Sequence, residues 1–173
     1  MGATVAPMTG LLDDYLIDPE VSLLGKTRMQ AQVLLPVLRA VRARLGKDEA
    51  DALVKQALRD WSKQLFAAIA EGIDGSPRQK WAVIQKVFGD VSGREVEFEI
   101  GRHDEQALDI DVTRCRFAEF FRALGEPELG ALLICAADFD IAATGNGEVS
   151  LERAQTIMQG AASCTFRYRF APR

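Results

Sequence analysis

The chain has 173 residues, 48% of them hydrophobic and 27% charged, with a net charge of -4 and a pI near 5.1. That length can bury a core without disulfide or metal staples, and the negative balance excludes a nucleic-acid-binding surface, which needs clustered positive charge. The absence of any run of eighteen apolar residues excludes a membrane-spanning helix.

The first segment, MGATVAPMTGLLDDYL, has neither the basic region nor the sustained apolar core of a signal peptide. Position 6 is Ala, which departs from the myristoylation pattern. Three cysteines, an odd number without tight pairing, fit reduced thiols, so a cytoplasmic protein is expected. Leu11, Leu12, Tyr15 and Leu16 predict one short helix ahead of Asp18-Pro19. From Thr27 to Leu45 apolar residues at 34, 38, 41 and 45 form a helical stripe, with Pro36 predicting a kink or a late start and Gly46 the end. Arg39, Arg42 and Arg44 alternate with apolar residues there and read as a solvated face.

Asp48 to Ile73 is the clearest amphipathic helix, with Val54, Leu58, Trp61, Leu65 and Ile69 on one side. Ser76-Pro77 is a cap followed by proline at the first helical position, and Trp81, Ile84 and Phe88 continue at helical spacing. Both tryptophans are expected in the core. After Gly89 the period changes to two. Glu95-Val-Glu-Phe-Glu-Ile100 and Leu108-Asp-Ile-Asp-Val112 predict an antiparallel hairpin turning through Gly101 to Gln106, its apolar face packed on helices and its acidic face in solvent.

Arg116 to Leu124 then reads as a helix with Phe117, Phe120, Phe121 and Leu124 inward, and Glu126-Pro127 starts a second short helix that ends at Cys135. A linker containing Thr144 to Glu148 leads into two strands, Val149 to Met158 and Cys164 to Phe170, joined by a turn at Gly160 to Ser163. The expected fold class is α+β: N-terminal helices packed on a mainly antiparallel C-terminal sheet of about four strands with an inserted helical segment. A single domain is expected over 1-173, with a helical half at 1-90 and a sheet-containing half at 91-173 that carries the site.

Strand parity places Cys164, Phe166, Tyr168 and Phe170 on one face and turns Arg153 inward beside Val149 and Leu151. An inward guanidinium needs an anion, either an internal carboxylate, Asp138 or Glu119, or the carboxylate of a ligand. Cys135 and Cys164 are candidate nucleophiles, which act only as thiolates. Asp138, three residues after Cys135, is a candidate base if burial raises its pKa. His103 reaches such a site only if the hairpin turn folds over it. Three thiols with Asp138 also suit zinc, although no C-x-x-C pair is present.

These residues carry a family resemblance. Cys115 after a strand, Cys135-Ala-Ala-Asp138, and Arg153-Ala-Gln-Thr156 running through Gly160 to Cys164-Thr-Phe166 resemble the C-terminal half of the L-2-amino-thiazoline-4-carboxylic acid hydrolase family. Thr165 stands where the family often has an acidic residue, and Gly145-Asn-Gly147 is unusual. The resemblance implies opening of a small cyclic amidine, thiazoline or imide-like ring by water addition at an sp² carbon. It implies Cys135, Asp138 and Cys164 as catalytic residues and Arg153, Thr156, Cys115 and Gly160 as substrate-binding ones. Amides of the Gly160 turn would stabilise negative charge. The partner implied is a small-molecule substrate bearing a carboxylate, with no cofactor and no resident metal; a homo-oligomer is compatible with this. The alternative is a non-catalytic small-molecule-binding or sensor domain using the same pocket.

Overall fold

The structure, a computed structural model, describes residues 21-172, so the short helix expected at 11-16 lies outside the described residues. It is an α+β fold, with three helices first and a four-stranded antiparallel sheet after them. Helix α1 spans Leu23–Leu45, α2 Lys47–Glu71 and α3 Pro77–Ser92. Strand β1 runs over Val96–His103 and β2 over Ala107–Cys115. Three short helices follow: α4 at Arg116–Ala123, α5 at Pro127–Gly130 and α6 at Ala137–Ala143, the last two joined by a π-helical turn at Ala131–Cys135. Strand β3 covers Val149–Glu152, a 3-10 turn Ile157–Gln159, and β4 Cys164–Phe170. The sheet order is β1-β2-β4-β3.

Helix α1 starts early. The Ser22 hydroxyl accepts from the Gly25 amide at 3.1 Å and caps the first turn, and the helix continues through Pro36. Its buried face is Leu24, Thr27, Ala31, Leu35 and Leu38, rotated from the stripe read at 34, 38, 41 and 45; of that stripe only Leu38 is fully buried, and Leu45 is exposed. Gly46 ends it at φ 85°, a backbone conformation that costs glycine little. Arg42 is not solvated: half-buried, it binds Asp51 at 2.6 Å and Glu126 at 2.9 Å, fastening α1 to α2 and to the start of α5.

In α3 the expected cap is present in full. The Ser76 hydroxyl accepts from the Gln79 amide, and the Gln79 side chain accepts from the Ser76 amide at 2.8 Å. Trp81 and Ile84 are buried, but Trp61 of α2 is 38% exposed, which corrects its placement in the core. Strand β1 departs further from expectation. Phe98 and Ile100 are 48% and 54% exposed, whereas Glu95 is buried and binds Arg116 at 2.7 Å. Strand β1 is an edge strand with register shifts at Glu97/Phe98 and at Ile100/His103, so its alternation does not become one buried face. The turn between β1 and β2 is correspondingly tighter than Gly101 to Gln106, closing at 104-106.

The inserted helical segment is longer than expected, because helix resumes after Cys135 as α6. Leu124, expected inward, stands exposed past the end of α4. Strand β3 is shorter than the predicted Val149 to Met158, leaving the sheet after Glu152. Two apolar clusters result. One joins α1 to Phe117, Phe121, Leu129 and Met158; the other joins Phe66, Trp81 and Ile84 to Ile141, Val149 and Tyr168.

Candidate functional site

A cavity of about 290 Å³ lies where the two clusters meet, bordered by Leu58, Val96 and Phe117 from one and by Phe66, Ile110 and Phe166 from the other. Its polar end is built by the π-helical turn. The Ala136 amide donates to the Ala131 carbonyl at 2.8 Å, a bond across five residues. In a regular α-helix successive side chains are rotated by about 100°, yet Leu132 to Cys135 all border the cavity in succession, with Ala137 and Asp138 following. The π-helical turn carries Leu132 to Cys135, and α6 begins with Ala137 and Asp138.

Arg153 comes from the segment that follows β3. The chain has left β3, but side-chain parity still carries the guanidinium inward, and its side chain is 7% exposed. Nη1 donates to Asp138 Oδ2 at 2.5 Å and Nη2 to the Cys135 carbonyl at 2.9 Å. The guanidinium carbon lies 4.8 Å from the ring centre of Phe139 and 5.3 Å from that of Phe166, distances at which a ring face attracts a cation. Of the two internal carboxylates expected as partners, Asp138 is the one found; Glu119 pairs with Arg114 instead. The Nε group of Arg153 is buried without a partner among the described residues.

The cavity therefore brings Cys115, Cys135, Asp138, Arg153 and Cys164 together. Cys164 is held by β4, opposite Val112 of β2. Its sulfur accepts from the Ile157 amide at 3.2 Å. Cys115 ends β2 and stands at the N-cap of α4, half-buried and reduced. Burial pushes all three thiols up, Cys135 to about 12 with the Asp138 charge adding to the effect. Burial also pushes the Asp138 carboxyl up, to about 6, against the lowering influence of Arg153. Although the Asp138 side chain is 31% exposed, it borders the cavity, whose apolar walls hydrate a charge poorly. The site thus holds a carboxylate poised near neutrality beside three protonated sulfurs.

Thr156 and Gly160 are elsewhere and do not border the cavity. The buried Thr156 hydroxyl accepts from the Gln159 amide at 3.2 Å and caps the 3-10 turn. The Gly160 amide donates to Ile157 O at 3.0 Å and the Ala161 amide to Thr156 O at 3.1 Å, so neither amide is directed at a substrate. His103 is exposed at the end of β1, away from the cavity. Among the described residues no group of three or more His, Cys, Asp or Glu side chains could hold a metal ion.

A sequence profile now decides the relationship: that of L-2-amino-thiazoline-4-carboxylic acid hydrolase matches residues 26–168. The chain belongs to this family. The L-2-amino-thiazoline-4-carboxylic acid hydrolase match takes in the helices as well as the sheet, so the whole cavity falls within it. No curated protein matches the sequence. Among solved structures, a crystal structure of an H-NOX protein from S. oneidensis in the Fe(II)NO ligation state is similar at 10% identity and a TM-score of 0.43, over 95% of this chain and 88% of that one. A likeness that loose bears on neither ligand nor activity.

Part of the family cavity came from residues that the sequence reading did not connect with function. Trp61, Phe88 and Phe98 border it, as does Ser62, whose hydroxyl donates to the buried Asp140 at 2.6 Å. Gly89 is the one signal that was available: a glycine late in a helix leaves an opening beside it.

Proposed function

We propose that the protein is a hydrolase that opens a small nitrogen-containing ring, a cyclic amidine, thiazoline or imide, by adding water at the sp² carbon. The observation that carries this reading is the meeting of Asp138, its carboxyl raised to about 6, with a buried guanidinium in one cavity. At neutral pH most of that carboxyl is ionised and still basic enough to take a proton. In the proposed reaction Asp138 removes a proton from water as the oxygen bonds to the ring carbon, and the carbon-nitrogen π pair moves onto nitrogen. For a thiazoline the carbon-sulfur bond then breaks, sulfur takes the proton back from Asp138, and the hydroxyl proton of the adduct passes to the ring nitrogen, leaving a carbamoyl group and a free thiol. Arg153 orients Asp138 and stabilises the negative charge of the adduct or of a substrate carboxylate.

The thiols serve as a polar wall. A covalent route needs a thiolate, and burial disfavours that form at Cys115, Cys135 and Cys164. Reduced thiols also suit a cytoplasmic setting, and among the described residues no helix is long and apolar enough to cross a membrane.

The test is ring opening of thiazolines, hydantoins and thiohydantoins by the protein and by Asp138→Asn, Cys135→Ser and Cys164→Ser. Water attack predicts a loss of about 10²- to 10⁴-fold for Asp138→Asn and less than about tenfold for either serine variant. Loss of activity in one serine variant, with mass-spectrometric trapping of an adduct on that sulfur, would replace the water route by a covalent one. Tight binding without turnover for every ring would instead favour a small-molecule sensor.

A further inference from the structure

We infer that the substrate of this cavity carries an apolar arm of several carbons on its polar ring, and that the arm runs from Asp138 towards a rim between α2, α3 and β1. The inference rests on the proposed ring chemistry for the head and on separate observations for the arm. The ionisable groups bordering the cavity are Asp138, Arg153 and the three thiols, all supplied by the sheet and the helical segment after β1. The walls formed by α2, α3 and β1 carry no ionisable side chain and are mainly apolar, with Leu58, Leu65, Phe66, Phe88, Val96 and Phe98 bordering the space and Ser62, Gln85 and Ser92 as their polar members. A heterocyclic acid of the thiazoline type displaces about four waters, roughly 120 Å³. The cavity of about 290 Å³ therefore has more than twice the room that such a head needs.

The rim carries exposed aromatic rings. Among the described residues that border the cavity, Trp61 and Phe98 are 38% and 48% exposed, one on α2 and the other on the edge strand. Gly89 of α3 and Gly93, which caps the C-terminus of that helix, also border the cavity, so no side chain of these residues enters it. A Cβ added at Gly89 would meet nothing within 4 Å. A helix interior normally disfavours glycine, and the one at position 89 leaves the space beside α3 clear. An arm lying there covers the ring of Phe98, which otherwise faces water.

The experiment uses the intact protein and hydantoins substituted at carbon 5 with hydrogen, methyl, propyl, pentyl, hexyl or benzyl. Binding by calorimetry and ring opening by product assay are measured for each. Burial of the arm predicts that affinity rises about fourfold per methylene, equivalent to about 0.8 kcal/mol each, and the benzyl compound tests an aryl against an alkyl arm. Gly89→Leu fills open space, so it is expected to fold with an unchanged or higher melting temperature and to end the gain at a shorter arm. A flat or falling affinity across the series overturns the inference, as does a Gly89→Leu protein whose preference matches that of the parent. If bare rings open as fast as armed ones, the hydrolase reading stands and the arm falls. If affinity climbs with arm length while no ring opens, the arm stands and the hydrolase reading falls.

Discussion

The two sides of the sheet hold the same kind of ion pair in opposite surroundings. On the outer side Arg167 binds Asp111 at 2.7 Å and Arg169 binds Asp109 at 2.5 Å, each pair linking β4 to β2 with part of its side chains in solvent. On the cavity side Arg153 binds Asp138 in equally short contact, yet its guanidinium is stacked between two aromatic rings and nearly closed off from water. Water and ions screen the outer pairs, which contribute about 0.2-1 kcal/mol each. The inner pair cannot be broken from one side without leaving a group in an environment that penalises its charge. Similar bonds thus fasten strands in one place, while in the other the pair sits where burial pushes the Asp138 carboxyl up to about 6 against the lowering influence of Arg153.

The largest effect is expected when the inner pair loses its anion. Asp138→Ala leaves a guanidinium that stays protonated throughout the accessible pH range, and urea denaturation should show a loss of about 3-5 kcal/mol. Arg153→Met should cost less, about 1-3 kcal/mol, because Asp138 can take up a proton and become neutral. A greater loss for the arginine variant would show that guanidinium packing on Phe139 and Phe166 outweighs the charge pair. In the same variant, binding of carboxylate-bearing rings should fall more than stability does; a lower melting temperature with unchanged binding would confine Arg153 to an internal role.

Acidity supplies the next contrast. If Asp138 acts as base, kcat/KM rises with pH and levels off above about 6, since the free protein must lose that proton first. In Arg153→Met the rise should move to higher pH, because the nearby positive charge that favours the carboxylate is gone. Stability should move in the opposite direction to activity. The folded carboxyl binds a proton more readily than the unfolded one, whose pKa is about 3.9, so between about pH 4 and 6 the contribution of Asp138 to stability falls as pH rises. Parallel melting profiles for the parent and Asp138→Asn would contradict that assignment.

The legibility of this site divides along the same boundary. Parity predicted that Cys164 and Arg153 face inward, and it held for Arg153 even though β3 ends one residue earlier, because extended backbone keeps a two-residue alternation without a strand partner. The C-x-x-D spacing located Cys135 and Asp138 together. It gave no hint of the π-helical turn that presents them, since a widened turn has no fixed side-chain code. Alternation misled in β1, where Phe98 and Ile100 repeat correctly but sit on an edge strand beyond the cover of the helices. At the Gly160 turn the turn chemistry was legible, but the carbonyls that the Gly160 and Ala161 amides bond were not.

The smallest expected effect belongs to the outer face. Asp111→Asn removes one charge from a pair whose side chains are 30% and 42% exposed, with Arg167 still able to donate to the carbonyls of Ile110 and Phe166. Its stability should change by no more than about 1 kcal/mol, and less in high salt. Because Asp111 alternates with cavity-lining Ile110 and Val112 on β2, ring opening should be untouched while the strand keeps its register. A loss of turnover in Asp111→Asn without a loss of stability would mean that charge on the outer face reaches Asp138 through the sheet, and the division between a fastening side and a reacting side would have to be abandoned.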